Sequence, residues 1–520
     1  MHSRTREALV AFAAVVLPAP LPALQAADAP AFDLKLDTIS VGFDKRTCWV
    51  HARAGSIPGN PPSVVLTMQK LLLTGSDVFY SLNEMRTDDL GATWSVPTEH
   101  ADTLGRRRVS GDVTEGVADF WPKWHAKSGK LLGIGLMARY EGDKQVPNFP
   151  RSTAYAVYDA ASRTWTAWKT LSMPEDARFY SAGAGCVQRV DLPDGDILLP
   201  IYFRDKPSRA YSVTVLRCGF DGETLRVKGA GNDLTVAVDR GLYEPSLTVF
   251  RGRYYLTLRN DRAGYVSTSR DGLHFSEPKK WTWDDGGDLG NYNTQQHWVT
   301  HSDALYLVYT RRGANNDHVF RHRAPLFIAQ VDPSRLQVIR ASERILVPER
   351  GARLGNFGVT EVNANETWVT VAEWMQTNPP NPYDYTIPMK CGSDNAVFVA
   401  RIRWKTPNAA WTGATAQPPP LVLPLWPSEP PAPPPGLSPD PQAERINDDG
   451  TVFNVRMPTM AVHLPPPEKA AGMALLVCPG GSYSKIGCSA KTEGAQWFTR
   501  YYQWATEWRL GQPTTKGAPR

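Results

Sequence analysis

The 520-residue chain has no pair of cysteines two residues apart, and its six cysteines (Cys48, Cys186, Cys218, Cys391, Cys478 and Cys488) are too sparse for a disulfide scaffold. A zinc ribbon and a small disulfide-built domain are thereby excluded. Beyond Ala26 no apolar run is long enough to span a bilayer. Charge of one sign is also missing: 57 Lys and Arg stand against 52 Asp and Glu, a net +5 too dilute for a nucleic-acid groove. What is abundant is Gly (41), Pro (44) and aromatic residues (17 Trp, 19 Tyr, 17 Phe), a composition of turns and strands, so an all-α fold is set aside.

Residues 1–26 carry Arg4 and Arg6, an apolar run from Ala8 to Leu17 and small, proline-rich residues up to Ala26. This is the layout of a secretory signal peptide, and it predicts a secreted or periplasmic protein. Over 33–405 short β-branched and aromatic runs such as Ser63 to Met68, Lys130 to Leu136 and Glu366 to Ala372 alternate with turn residues. They group roughly every 50 to 70 residues, which predicts an all-β, six-bladed β-propeller. One such sheet cannot bury both faces alone; stacked around an axis, the sheets bury one another and leave a funnel where the inner strands begin. Prolines crowd the stretch from Pro418 to Pro441, a density that stops sheet pairing and marks 406–445 as a Pro-rich linker. Residues 446–520 read as a short, incomplete α/β fragment.

Thr87-Asp88-Asp89-Leu90-Gly91-Ala92-Thr93-Trp94 fits a tight hairpin turn made by Asp and Gly with a packed Trp. A shorter version stands at Ser269 to Phe275 and a degenerate one at Asp159 to Trp165. These segments resemble the Asp box of sialidases. In that family three arginines from different blades bind the substrate carboxylate, a planar fork that Lys cannot copy. The resemblance places the first at Arg53, in His51-Ala52-Arg53-Ala54-Gly55-Ser56-Ile57-Pro58. The second is Arg259, in the run Tyr254 to Arg259 that follows Tyr243-Glu244-Pro245, a spacing that suits a hairpin bringing Glu244 and Arg259 to one mouth. The third is Arg323, with Arg321 as its rival.

The resemblance further implies Asp77, which stands between Arg53 and the first Asp box, as acid/base, and Glu244 as base or electrostatic partner. It implies no cofactor and no metal, and a glycan bearing an acidic sugar as the partner, sialic acid first. The nucleophilic Tyr of the family falls here on Phe357, in Leu354-Gly355-Asn356-Phe357-Gly358. A covalent step would then need another hydroxyl, such as Tyr292, Tyr383 or Tyr385. The polar, aromatic segment Gly290 to Trp298 suits hydrogen bonding and stacking on a sugar, so Tyr292, Gln296 and His297 join the substrate-binding candidates. His51 and His297 also suit proton transfer, which keeps uronic-acid hydrolysis, β-elimination and non-catalytic glycan binding open.

At the C-terminus, Leu475-Leu476-Val477-Cys478-Pro479-Gly480-Gly481-Ser482-Tyr483 resembles the start of an α/β-hydrolase esterase. No Gly-x-Ser-x-Gly follows, and the stretch after Glu493 holds neither His nor Asp, so the resemblance implies a truncated, inactive domain.

Overall fold

The computed structural model describes residues 31–411 and, beyond them, five short strands: Leu421–Pro424, Arg445–Ile446, Thr451–Phe453, Thr459–Val462 and Lys485–Gly487. The chain divides into two compact units, residues 1–413 and 414–520. The expected signal peptide lies outside the described residues, as do most of the Pro-rich linker and nearly all of the esterase-like fragment. In the second unit Leu421–Pro424 pairs antiparallel with Thr459–Val462, and the other three strands form a small antiparallel sheet.

The first unit is built of antiparallel strands joined by turns. Thr47–Ile57, Ser63–Leu72, Phe79–Thr87 and Thr98–Glu99 form one four-stranded sheet, and Tyr243–Phe250 through Lys279–Lys280 form another. A five-stranded sheet holds His297–Thr300 through Arg344–Val347. In the last sheet Gly358–Asn363, Glu366–Ala372 and Val397–Trp404 are joined by the N-terminal strand Phe32–Ser40, whose Phe32 lies opposite Trp404. The two ends of the chain segment thus close one sheet together.

The expectation of six separate blades is corrected. Four sheets are blade-sized, and the strands between residues 107 and 230 form one continuous twelve-stranded sheet. The join is a single parallel pair, Ser152 opposite Ala182. The halves on either side of it face one another through Leu132, Tyr155 and Val157 on one side and Ile197, Leu199 and Leu216 on the other.

Apolar cores lie between successive sheets and close a circle. Val65 and Leu82 meet Val117 and Leu131, Val213 and Val215 meet Leu247 and Leu256, and Tyr255 meets Leu307. Val308 and Ile328 meet Val369 and Phe398, and Leu66 and Met68 return to Val397 and Val399. Strands buried on both faces explain why their sequences read as continuous apolar runs rather than strict alternations. This is a propeller arrangement.

The outer turns are held by aspartates. Asp89 accepts from Thr93 N at 2.9 Å and Thr93 Oγ1 at 2.6 Å, Leu90 and Gly91 take positive φ, and Trp94 packs on Trp368. Asp271 accepts from His274 N at 2.8 Å, and Asp159 from Ser162 N at 2.8 Å. Two further turns of this kind, at Asp221 and Asp332, escape the sequence pattern because neither is followed by a nearby Trp or Phe. The four cysteines among the described residues, Cys48, Cys186, Cys218 and Cys391, are free thiols. Among the described residues no helix is long and apolar enough to cross a membrane.

Candidate functional site

Where the inner strands begin, five non-glycine residues adopt left-handed backbone: His51 (φ 58°), Asp119 (54°), Cys186 (60°), Glu244 (45°) and Asn293 (52°). Three of them sit in β-bulges, which break the pairing between Val50 and Arg53, Ala118 and Trp121, and Tyr243 and Ser246. Such backbone costs about 1 kcal/mol or more per residue and persists where the surroundings over-determine it. All five line one cavity of about 620 Å³. The bulges re-aim a polar side chain from each of several sheets toward a common space.

The cavity is rich in arginine. Asn293 gathers three of them: Arg259 Nη2 donates to its Oδ1 at 2.8 Å, Arg321 Nη1 to the same oxygen at 3.4 Å, and Arg323 Nη2 to its carbonyl. Arg259 also pairs with Glu244 and stacks on Tyr243 at 4.5 Å, and the carboxylate holds its guanidinium firmly charged against the cost of burial. Arg323 is 4% exposed and its remaining contact is Asn356 Oδ1 at 3.5 Å. Burial first, then Arg259, Arg321 and Arg353, push it well below the usual arginine range. Arg353 is buried, stacked on Trp374 (4.4 Å) and Phe320 (4.7 Å), and donates to Gln376. Burial lowers it to about 9.

Arg240 is paired with Asp261 at 2.7 Å. Among the described residues, Arg151, Arg321, Arg323 and Arg353 have no carboxylate within 4.0 Å. Buried cations without anions are costly, and a bound anion is what would offset that cost.

Also on this cavity, Asp119 Oδ1 lies 3.2 Å from His51 Nε2 and accepts from the Cys186 thiol at 2.8 Å, and Cys186 in turn accepts from Arg53 Nη2 at 3.1 Å. Burial works to raise Asp119, but the charge of Arg53 and the hydrogen bond from Cys186 oppose it, and the carboxyl is held below its ordinary value. His51 is kept neutral chiefly by burial, against the pull of Asp119. Desolvation likewise raises the Cys186 thiol, so it serves here as a hydrogen-bond donor. Asp77, exposed and also at positive φ (54°), lines the same cavity.

The sequence-derived candidates divide. His51, Asp77, Glu244, Arg259 and Arg323 come together on the cavity, and so does the rival Arg321. Arg53 does not reach it. The bulge after Val50 breaks the alternation, so His51 faces the cavity while Arg53, 0% exposed, lies beneath it and donates to Phe357 O at 3.1 Å. His297 is sealed between Trp121 and Phe357 and bonded to Ser246 Oγ at 2.6 Å. Gln296 is buried against Thr257 and Thr294.

The Tyr292 hydroxyl is bonded to His322 Nδ1 at 2.6 Å, and the residue does not line the cavity. Phe357 is core, 0% exposed; of the alternative tyrosines only Tyr383 lines the cavity, while Tyr385 packs on Phe43. Sequence reasoning missed Asp119, Cys186, Asn293, Arg151 and Arg353. For Asp119 a signal existed: like Glu244, it is an acid set directly among apolar residues, between Ala118 and Phe120.

The fold and this cavity define an all-β chain of propeller type with a polar, arginine-lined mouth. No protein-family model and no curated protein matches the chain. Among solved structures, a protein of unknown function from Dyadobacter fermentans is similar over 72% of this chain and 100% of its own, with 14% identity and a TM-score of 0.51, which shows a shared fold. Sialidases are also similar at lower scores. Hadza microbial sialidase Hz136 has 14% identity over 70% of this chain and 67% of its own, TM-score 0.48. Trypanosoma rangeli sialidase has 13% identity over 72% of this chain and 60% of its own, TM-score 0.46.

Proposed function

We propose that the chain is a secreted or periplasmic, sialidase-like propeller glycosidase that releases a terminal, carboxylate-bearing sugar, sialic acid first. The observation that carries this reading is the convergence of Arg259, Arg321 and Arg323 on Asn293 at the cavity wall. Arg259 comes from a different sheet from Arg321 and Arg323, which stand two residues apart on one turn, so the fold brings the two segments together, and forked guanidinium donors fit a carboxylate bidentately. Arg321 takes the place that the sequence resemblance gave to Arg53. The turns at Asp89 and Asp271 support the family reading.

In this reading the arginines fix the carboxylate and so orient the glycosidic bond, and Asp77, at the open side, protonates the leaving-group oxygen. With Phe357 in the core, the attacking oxygen is water unless Tyr383 supplies its hydroxyl. The buried His51–Asp119 pair supports a second reading, proton abstraction from a uronic acid with β-elimination. Incubation with a fluorogenic sialoside and with an unsaturated-product assay on uronides decides between them. Release of fluorophore that Asp77→Asn abolishes supports hydrolysis; an ultraviolet-absorbing product lost in His51→Gln supports elimination. Neither product, with bound glycan, would leave a binding protein and reject both enzymatic readings.

A further inference from the structure

A second cavity of about 720 Å³ adjoins the first, sharing Leu136, Ala138, Gln145, Arg151 and Arg240 with it. Its cations are Arg139, Arg151, Arg204, Lys206, Arg209 and Arg240, and no acidic residue lines it. Glu115 neutralises Arg139 at 3.0 Å from Nε, and Asp261 neutralises Arg240. Arg151, Arg204, Lys206 and Arg209 have no carboxylate partner within 4.0 Å among the described residues.

Aromatic faces stand among these charges. Tyr180 is 41% exposed with the Arg204 guanidinium 5.9 Å from its ring, and Tyr211 lies 5.4 Å from Arg151 and 5.7 Å from Arg204. Although burial alone would raise the Tyr211 hydroxyl, Arg151 and then Arg204 bring it below its ordinary value, a sign of strong positive potential.

We infer that this groove is an extension subsite that binds the following units of a polyanionic glycan, so that the natural ligand is an oligomer of carboxylated sugars rather than a single acidic sugar on a neutral chain. The inference rests on the proposed acidic-sugar reading of the first cavity and extends it. Arg151 stands at the junction, where it donates to Tyr202 OH at 3.0 Å and faces both cavities. Open aromatic faces beside unpaired cations match a ligand that alternates apolar ring faces with carboxylates. Lys206 and Arg209 are exposed and hold no structural contact, so their charge is free for a ligand. A nucleic acid is the poorer match, because the chain as a whole carries only +5.

Calorimetric titration of the full chain with monomer, dimer and tetramer of sialic acid, and of galacturonic acid, tests this. In at least one series the tetramer should bind about tenfold or more tighter than the monomer, with the advantage shrinking between about 50 and about 300 mM NaCl. In Lys206→Gln/Arg209→Gln, with unchanged melting as the check on folding, the tetramer-to-monomer ratio should fall below about threefold. A tetramer no tighter than the monomer, or an advantage that survives the double substitution, overturns the inference while leaving the first cavity's reading intact. Tetramer binding without any monomer binding would instead reject the first cavity's reading and keep the groove. An oligonucleotide that binds as tightly as the tetramer overturns the inference as non-specific charge attraction.

Discussion

Replacing Arg323 by Met should make the unliganded protein more stable and make it unable to hold an acidic sugar. The side chain is buried, keeps one good hydrogen bond to Asn293 O, and has no acid beside it. Burial first, then Arg259, Arg321 and Arg353, hold its folded-state pKa well below the usual arginine range, so keeping a charge at this position is costly to the fold.

Exchanging a buried charge for an apolar side chain of similar length gains about 1–4 kcal/mol, less about 1 kcal/mol for the lost hydrogen bond. For a unit of about 380 residues the net of about 0–3 kcal/mol corresponds to a rise of roughly 0–4 °C in Tm. Binding should suffer in the opposite sense, by about 2–5 kcal/mol, or thirtyfold and more in Kd. Differential scanning calorimetry with and without free sialic acid reads both. A melting point that falls by several degrees, or a ligand-induced shift equal to that of the wild type, would refute the reasoning.

Other outcomes follow from the same geometry. Arg259→Lys keeps the charge and loses the fork, so KM for an acidic substrate should rise by about 2–4 kcal/mol in binding terms; an unchanged KM contradicts a carboxylate contact. Phe357→Tyr should not create a covalent intermediate, because the ring lies in the core; the buried hydroxyl should cost about 1–3 kcal/mol in urea unfolding, and labelling by a fluorinated sialoside at residue 357 would show the placement wrong. His51, His125 and His297 are all held neutral by burial. Their depressed values give a stability present in full above the ordinary imidazole range and lost as pH falls through the folded values, with a slope of up to about 1.4 kcal/mol per pH unit each. His297→Gln should reduce that slope by about a third of the histidine contribution. A slope unchanged in unfolding measured from neutral pH to about pH 5 speaks against it.

Much of the fold was legible because its signals are local. Turn residues between short apolar runs gave the strands, and the aspartates at 89 and 271 gave outer turns. The single parallel pair at Ser152 and Ala182, which merges sheets, leaves no mark in sequence. Glu244, Arg259 and Arg323 were legible because the family resemblance picks out a charged residue in or just before an apolar strand, a placement that is costly unless used. Arg53 carries the same signature, yet the bulge at His51 turns it into the core. A one-residue break in alternation reverses every later side chain, and such bulges are set by tertiary contacts. Asn293 was missed for a related reason: the segment from Gly290 to Trp298 stood out, but only the positive φ at Asn293 shows which of its polar residues meets the arginines.

The central claim is that the guanidinium groups around Asn293 hold a sugar carboxylate. Calorimetric titration of the protein with sialic acid and with its methyl ester, which keeps the ring and hydroxyls but loses the charge, tests it most directly. The account predicts binding of the acid and a loss of about 2 kcal/mol or more, at least thirtyfold in Kd, for the ester. Equal affinity for the two, or no binding of either together with the galacturonate pair behaving alike, would contradict it.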